Sequence, residues 1–401
     1  MKEKSILSID LKSFFASVEC IKLGLDPFTT PIVVANSHQG NGAITLAITP
    51  FLKSQGVKSR CRLYEIPDYI NYKVINPDMD SYKLYSKKVV DIYLEFIDEK
   101  DLHIYSIDEC FLDVTNYLKL YKSTDEELAK KILNTILERT GLCATCGIGS
   151  SIFLAKVAMD IEAKNNDSFI AKYTLLDIKT KLWNIDKLDK VWGIGPALLK
   201  KLNNLSIYTG YDLAHYDKNI LKSKLGVIGE TLHNNFNGIY TDSISTYNEL
   251  PKGKSYSHSA HLLKNYDETD ILPVFFRMCE TLSYRLQQDN VVFKTINFKL
   301  TYDSPGKIFK KTLRLDNYTN KSEDIYNNIV LIFNLYYEYL PIRKVDIHLM
   351  SINSKEGTQL SLFNKDNSFD ESYKYIEEIN KIKDKFGKDS ISKASLLLDT
   401  K

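Results

Sequence analysis

Three acidic residues stand where strands are expected to end. An apolar run from Ser5 to Ile9 reads as a strand and closes on Asp10; far along the chain, Ile104-Tyr-Ser-Ile-Asp108-Glu109-Cys-Phe-Leu-Asp113 puts two adjacent carboxylates at a strand-to-strand turn. Adjacent carboxylates repel, and the cost is tolerable where divalent cations sit between them. Mg²⁺ takes oxygen ligands and keeps positions open for substrate phosphates. Asp10, Asp108 and Glu109 therefore read as a two-metal phosphoryl-transfer site, set against the plainer alternative of surface acids capping strand ends. Asp113 would share Glu109's face but lie roughly 13 Å further along a regular strand, out of reach of the same ions, so it reads as structural.

The elements that must position these acids follow from patterning. Of 401 residues, 44% are hydrophobic and 26% charged, enough core-forming material for two to four domains. From residue 4 the periodicity predicts a strand (5–9), a helix (13–23), strands at 31–35 and 43–48, and a short helix through Phe51. It continues with a helix (81–96), strands at 103–107 and 110–114, a helix (126–139) and a strand (143–148). This is an α/β arrangement, most simply a mixed sheet with helices on one face. Short helices punctuated by Gly suggest a helical unit over about 175–240, and the polar stretch 241–258 reads as a linker. A second, smaller α/β domain follows over 259–354, with a helix near 273–288, strands at 291–301 and 310–315, and a helix at 324–339. Residues 355–401 read as a tail.

Composition excludes several classes. No apolar run approaches the ~18 residues of a membrane span, and no signal-peptide core follows the N-terminus, so a cytoplasmic protein is expected. Six cysteines are too sparse for a disulfide scaffold, and Cys143-Ala-Thr-Cys146 reads as core-strand thiols rather than a metal or redox site. With 53 Lys+Arg against 51 Asp+Glu the net charge is only +2, so a nucleic-acid surface would have to come from sorting basic residues onto one face.

Ile9-Asp10-Leu-Lys-Ser-Phe14-Phe15-Ala-Ser-Val-Glu19 together with Ser106-Ile-Asp108-Glu109 resembles the two catalytic motifs of the Y-family, the translesion DNA polymerases. The resemblance extends through Cys146-Gly-Ile-Gly-Ser-Ser-Ile-Phe-Leu-Ala-Lys156 and Trp192-Gly-Ile-Gly-Pro196 to about residue 363. It implies a multidomain α/β fold: a palm (1–174) carrying small fingers (about 24–75), a helical thumb with a helix-hairpin-helix (175–240), and a separate α/β little finger. Two Mg²⁺ ions would be held by Asp10, Asp108, Glu109 and the Leu11 carbonyl. Primer-template DNA and deoxynucleoside triphosphates would be the substrates, in damage tolerance by a monomer expressed under the SOS response.

Residue by residue, the resemblance implies more. Phe14 and Phe15 would flank the sugar of an incoming nucleotide; Phe14 reads first as a core aromatic, and Phe15 matches the steric gate that rejects a 2′-hydroxyl. In Thr49-Pro50-Phe51-Leu52-Lys53, where many members carry a Tyr and an Arg for the triphosphate, this chain has Pro50 and Lys53, a departure that resembles the UmuC-type branch of bacterial or phage origin. Lys53 keeps the charge without the planar fork, and Thr49 becomes a substitute donor. Lys164 matches the second triphosphate lysine, although Asp160-Ile-Glu-Ala-Lys-Asn-Asn166 is one residue longer than usual; an exposed solvated lysine is the alternative.

Gly193 and Gly195, followed by Lys200 and Lys201, resemble a hairpin whose backbone N–H groups approach a DNA phosphate. In the last domain Lys294, Lys299, Lys307, Lys310, Lys311 and Arg314 face a single acid, Asp303, over two strands; alternation puts a subset of them on one face, a strip fit to track phosphates without reading bases, with a solvated strand face as the alternative. Gln359-Leu360-Ser-Leu362-Phe363 resembles the sliding-clamp-binding motif of bacterial polymerases. A short amphipathic helix is expected over 386–398, with no function attached. Two other classes remain: a different palm-type nucleotidyl enzyme such as a cyclase, which needs neither hairpin nor clamp motif, and a non-catalytic DNA- or clamp-binding relative, which has no reason to keep repelling acids together.

Overall fold

The computed structural model describes residues 4–240, 243–248, 255–354, 378–387 and 390–391. The chain divides into two compact units, residues 1–249 and 250–401.

The first unit is built around β1 (Ile6–Leu11), followed directly by α1 (Phe14–Lys22). β2 (Ile32–Val34), β3 (Ala47–Ile48), α2 (Pro50–Ser54) and β4 (Lys73–Ile75) then form a small subdomain in the place expected of the fingers. Its three-stranded sheet, in the order β3-β2-β4, closes over Val33, Ile48, Leu52 and Leu63. Most of the expected strand at 43–48 is loop: only Ala47 and Ile48 pair with β2. The chain returns through α3 (Met79–Leu94), β5 (Leu102–Ile104), β6 (Glu109–Asp113), α4 (Tyr117–Tyr121), α5 (Asp125–Thr140), β7 (Ala144–Gly149), α6 (Ile152–Ile161) and β8 (Ile170–Tyr173). The main sheet runs β5-β6-β1-β7-β8, with β1 antiparallel to both neighbours and β8 parallel to β7.

Helices cover both faces of this sheet, not one as the pattern suggested. Alternation sends Leu7, Ile9 and Leu11 of β1 and Ala144, Cys146 and Ile148 of β7 into a core shared with α3 and α5. On the opposite face β7 offers Gly147 and Gly149. A Cβ on Gly147 would stand 2.0 Å from the Ala155 carbonyl oxygen, and one on Gly149 would stand 2.3 Å from the Ala155 nitrogen. Two missing side chains let α6 lie against the strand backbone, and Ser8 completes the contact by donating to Met159 Sδ. α5 is bounded as its sequence demands: Thr124 and Glu127 form a reciprocal capping box, and Gly141 takes a left-handed φ of 72° after its last turn.

Next come α7 (Pro196–Asn203), α8 (Gly210–His215), α9 (Lys218–Leu225) and α10 (Val227–Phe236), gathered around Leu182, Leu202, Leu213, Leu221 and Phe236. The stretch read as linker contributes α11 (Ile244–Asn248), whose Asn248 side chain donates to the Leu102 carbonyl.

The second unit comprises β9 (Tyr256–Tyr266), α12 (Ile271–Gln288), β10 (Val291–Tyr302), β11 (Ile308–Thr319), α13 (Ser322–Tyr336), β12 (Ile342–Met350) and β13 (Asn353–Ser354). Its sheet order is β11-β10-β12-β9, antiparallel throughout, and the two helices pack on one face through Phe275, Leu282, Ile329 and Phe333. β9 begins inside the expected linker, and β12 lies in a stretch assigned no element from sequence. A further helix over 378–386 lies against α12, where Asp384 accepts from Tyr284 (2.5 Å) and Asn380 donates to Gln287 (2.8 Å). It ends where the expected 386–398 helix was to begin, and most of that segment falls outside the described residues. No helix among the described residues is long and apolar enough to cross a membrane.

Candidate active site

The sheet brings the acids of two distant segments to one place. Asp10, next to last in β1, is the register partner of Glu109, first in β6, and the Leu11 N–H donates to the Asp108 carbonyl at 3.0 Å. The loop before β6 is held by the Tyr105 and Ser106 N–H groups, both donating to the Glu109 carbonyl at 3.0 Å. Asp113 pairs with Ile6 at the far end of the ladder and accepts from the Thr115 N–H, a structural role as expected.

Each carboxylate is engaged by a different group. Asp10 Oδ2 lies 3.1 Å from Lys164 Nζ. Asp108 Oδ1 accepts from Ser106 Oγ at 2.6 Å. Glu109 Oε1 lies 2.6 Å from Lys156 Nζ in a buried ion pair. Burial raises the Asp10 carboxyl above its ordinary pKa, Lys164 opposing and Asp108 assisting. Burial likewise raises Glu109, with Lys156 opposing. For Lys164, burial works against the ammonium, but Asp10 and Asp160 outweigh it and the pKa is raised.

Beside Asp10 and Asp108 opens a cleft of about 930 Å³, also lined by Leu11, Phe14, Phe15, Pro50, Lys53 and Lys164. Phe14 is buried in the core, whereas Phe15 is half-buried and stacks on Tyr82 with ring centroids 4.3 Å apart. Lys53 carries a lowered pKa, burial first among its causes. The fingers assignment of Thr49 is corrected: it is fully buried, off the cleft lining, and its hydroxyl accepts from the Ile32 N–H at 3.3 Å. Its role is to fasten β2 to the start of α2.

Several lining residues were missed from sequence. Lys12 lies over the Phe169 ring, 3.8 Å from its centroid, with both at the cleft wall. Ser13 caps α1 in a left-handed conformation (φ 50°), and its hydroxyl is buried without a partner. Arg60 also lines the cleft at a left-handed φ of 61°. Lys156 had a readable signal: it is the one charged residue in the apolar run Ile152–Met159.

The carboxylates suit a hard divalent cation by donor type, oxygen ligands from Asp10 and Glu109 at paired strand ends with Asp108 beside them. They are not gathered as a ready cage: among the described residues no three potential ligands converge.

The hairpin Trp192–Pro196 leads into α7, with Gly193 at φ 91° and open space where a Cβ on either glycine would lie. A single 3₁₀ turn, Leu188–Lys190, stands where a first helix was expected. Trp192 Nε1 donates to the Tyr105 hydroxyl at 3.2 Å, tying the hairpin to the loop that leads to Asp108. Lys200 and Lys201 are exposed.

In the second unit strand parity sorts the basic strip. Lys299, Lys310 and Arg314 lie on the helix-free face with Lys344, as their register shows. The DNA-binding assignment of Lys311 is corrected: it lies on the helix side, over the Tyr336 ring (4.4 Å), while Lys294 lies over Tyr318 (5.3 Å) beside the irregularity in the ladder. Lys307 pairs with Glu338. Asp346, buried on the helix-free face, engages Lys344 at 2.7 Å and accepts from Ser259. Gln359, Leu360, Leu362 and Phe363 lie outside the described residues.

The impB/mucB/samB family matches residues 9–160, its C-terminal domain matches 253–362, and the IMS family HHH motif matches 177–207. The chain is 34% identical over 396 residues to "Putative UV-damage repair protein UvrX" of Bacillus subtilis (strain 168), covering 98% of this chain and 93% of that protein. It is 31% identical over 405 residues to "DNA polymerase IV 2" of the same organism, covering 99% and 95%. A solved Y-family DNA polymerase chimera superposes with a TM-score of 0.72 at 21% identity, over 87% of this chain and 99% of that one.

Proposed function

The chain belongs to the impB/mucB/samB family of Y-family DNA polymerases, and from that premise we propose how its own residues carry out translesion DNA synthesis. It is a DNA-directed DNA polymerase of the translesion type, and such enzymes are metal-dependent nucleotidyltransferases. Its substrates are then a primer-template and deoxynucleoside triphosphates. The observation that carries the assignment of roles is the pairing of Asp10 with Glu109, with Asp108 alongside, at the wall of a cleft that also carries Lys12, Lys53, Arg60 and Lys164.

Asp10, Asp108, Glu109 and the Leu11 carbonyl would hold Mg²⁺, read as two ions. The chemistry supplied by an ion held by these residues would be a lowered pKa for the primer 3′-hydroxyl and neutralised charge on the triphosphate and the leaving pyrophosphate. Lys53 and Lys164 would bind the triphosphate oxygens, with Arg60 restoring the planar fork that Lys53 lacks. Ser13 and the first-turn N–H groups of α1 offer further donors to the same anion. Phe15 would exclude a 2′-hydroxyl, and Phe14 would hold α1 in the core. Gly193, Gly195 and Lys200 are assigned to the duplex backbone, as are Lys299, Lys310 and Arg314. Gln359 to Phe363 are assigned to a sliding clamp on sequence grounds alone.

The test is primer extension by the purified chain with Mg²⁺ and four deoxynucleotides. Asp108→Ala is expected to reduce extension to background while DNA binding persists, since it removes a metal ligand and no phosphate contact. Extension within about tenfold of the original, ~1.4 kcal/mol of barrier, would overturn the assignment.

A further inference from the structure

Lys156 and Asp160 have no part in the roles assigned above, yet they join the two ends of the acid site. Glu109, Lys156, Asp160, Lys164 and Asp10 form one line of alternating charge, with successive ion pairs at 2.6, 3.1, 2.8 and 3.1 Å. The three central residues stand four apart, on α6 and the 3₁₀ turn Ala163–Asn165 that follows it.

The two lysines differ in freedom. The Lys156 side chain is 7% exposed and that of Glu109 is 9%, so neither has water to turn to. The Lys164 side chain is 35% exposed and lines the cleft, so it has somewhere to go. We propose that Lys156 is a positioning residue, a permanent counter-cation that holds Glu109 at the metal site. Lys164, anchored by Asp160, is its displaceable counterpart and occupies Asp10 until a divalent cation takes its place. The proposal rests on reading Asp10, Asp108 and Glu109 as metal ligands.

The physics runs from charge and burial. A buried carboxylate stripped of its partner leaves an uncompensated charge, so the metal-free protein needs a resident cation at Glu109. A cation within 4 Å of Asp10 competes for the oxygen that a metal would use. Asp108, held by a neutral hydroxyl and no lysine, is left as the acid a metal meets without displacing a cation.

The experiment uses the full chain without DNA or nucleotide. Mn²⁺ binding is measured by electron paramagnetic resonance of the free ion, and thermal unfolding is followed with and without Mn²⁺. Lys164→Met is expected to tighten Mn²⁺ binding about tenfold by removing the competitor; unchanged or weaker binding overturns the displaceable role. Lys156→Met is expected to lower the metal-free Tm by roughly 10 °C, with saturating Mn²⁺ restoring most of the loss and Lys156→Arg behaving as wild type. A Tm loss that Mn²⁺ leaves untouched marks a merely structural lysine and overturns the positioning role. If Lys156→Met does not fold, Glu109→Gln with Lys156→Met replaces it. Removing both charges is expected to restore folding, and a double variant that also fails to fold overturns the charge-pair account. Wild-type protein that binds no Mn²⁺, or Asp108→Ala that binds it equally, overturns the metal-ligand reading and this proposal with it. Wild-type binding with unresponsive lysine variants overturns this proposal alone.

Discussion

Phe14 and Phe15 are adjacent and chemically identical, but the first is sealed in the core of the main sheet and the second stacks on Tyr82 at the cleft wall. Under the proposed role, a ring held there would fill the volume that a 2′-hydroxyl needs. Relief of such a clash is of order 1 to 3 kcal/mol, so Phe15→Ala should raise ribonucleotide incorporation roughly tenfold to a hundredfold, read as the ratio of kcat/KM for ribo- and deoxynucleotide. Phe14→Ala should lower stability and leave that ratio alone. The thiols divide in a similar way. Burial pushes Cys110 up to about 12 and raises Cys146 further, so in native protein at pH 8 both should resist alkylation. Cys61 and Cys143 are the partly exposed thiols, and burial raises Cys143, so Cys61 should label first among the six, as mass spectrometry of alkylated peptides would show. The placing of Asp10, Asp108 and Glu109 at neighbouring strand ends was legible from patterning, whereas Phe15, Lys53 and Lys164 came from the resemblance to the Y-family motifs; the cleft brings Asp10, Asp108, Phe15, Lys53 and Lys164 together. Thr49 was misread because local sequence does not reveal that its hydroxyl is taken by the Ile32 N–H across the fingers sheet.

Among the elements, β7 and α6 are joined by absence of side chains. Gly147→Ala would drive a methyl to 2.0 Å from the Ala155 carbonyl, a backbone atom that has nowhere to move, so a loss of about 3 kcal/mol or more is expected in denaturant unfolding. The same two glycines explain why helices on one face was the wrong expectation: on β7 that face is Gly147 and Gly149, and its apolar side chains, Ile6 and Phe111, come singly from separate strands. In the second unit, β10 and β11 were legible as strands, but which lysines share a face depends on register, which a two-strand reading does not fix. β9 and β12 were missed because Ser, His, Lys and Asp on their helix-free face dilute the apolar alternation. The capping box at Thr124 is the opposite case, readable because all its parts lie within one turn.

For the molecule as a whole, a net charge of +2 hid a local sorting of charge, since basic residues gather at the cleft and along one face of the second unit's sheet. Replacing Leu362 and Phe363 together with Ala should leave extension of a short primer unchanged and abolish stimulation by a loaded sliding clamp. Two buried apolar anchors contribute roughly 1.5 to 3 kcal/mol each; equal clamp affinity in the double variant would return the segment to a structural role. The order of the main sheet carries a further consequence, for the time course of folding. β1 is made first yet lies between β6 and β7, and Asp10 receives a hydrogen bond from Thr145, 135 residues later. Such non-local pairing makes closure of this sheet slow relative to the local helices. On the ribosome, Asp10 must wait for Glu109 until more than a quarter of the chain has emerged, and for Thr145 until more than a third. The three acids come together when the β1–β6 loop closes, but Thr145 and Lys164 join Asp10 only after the second loop closes, so no shorter nascent fragment holds the whole arrangement.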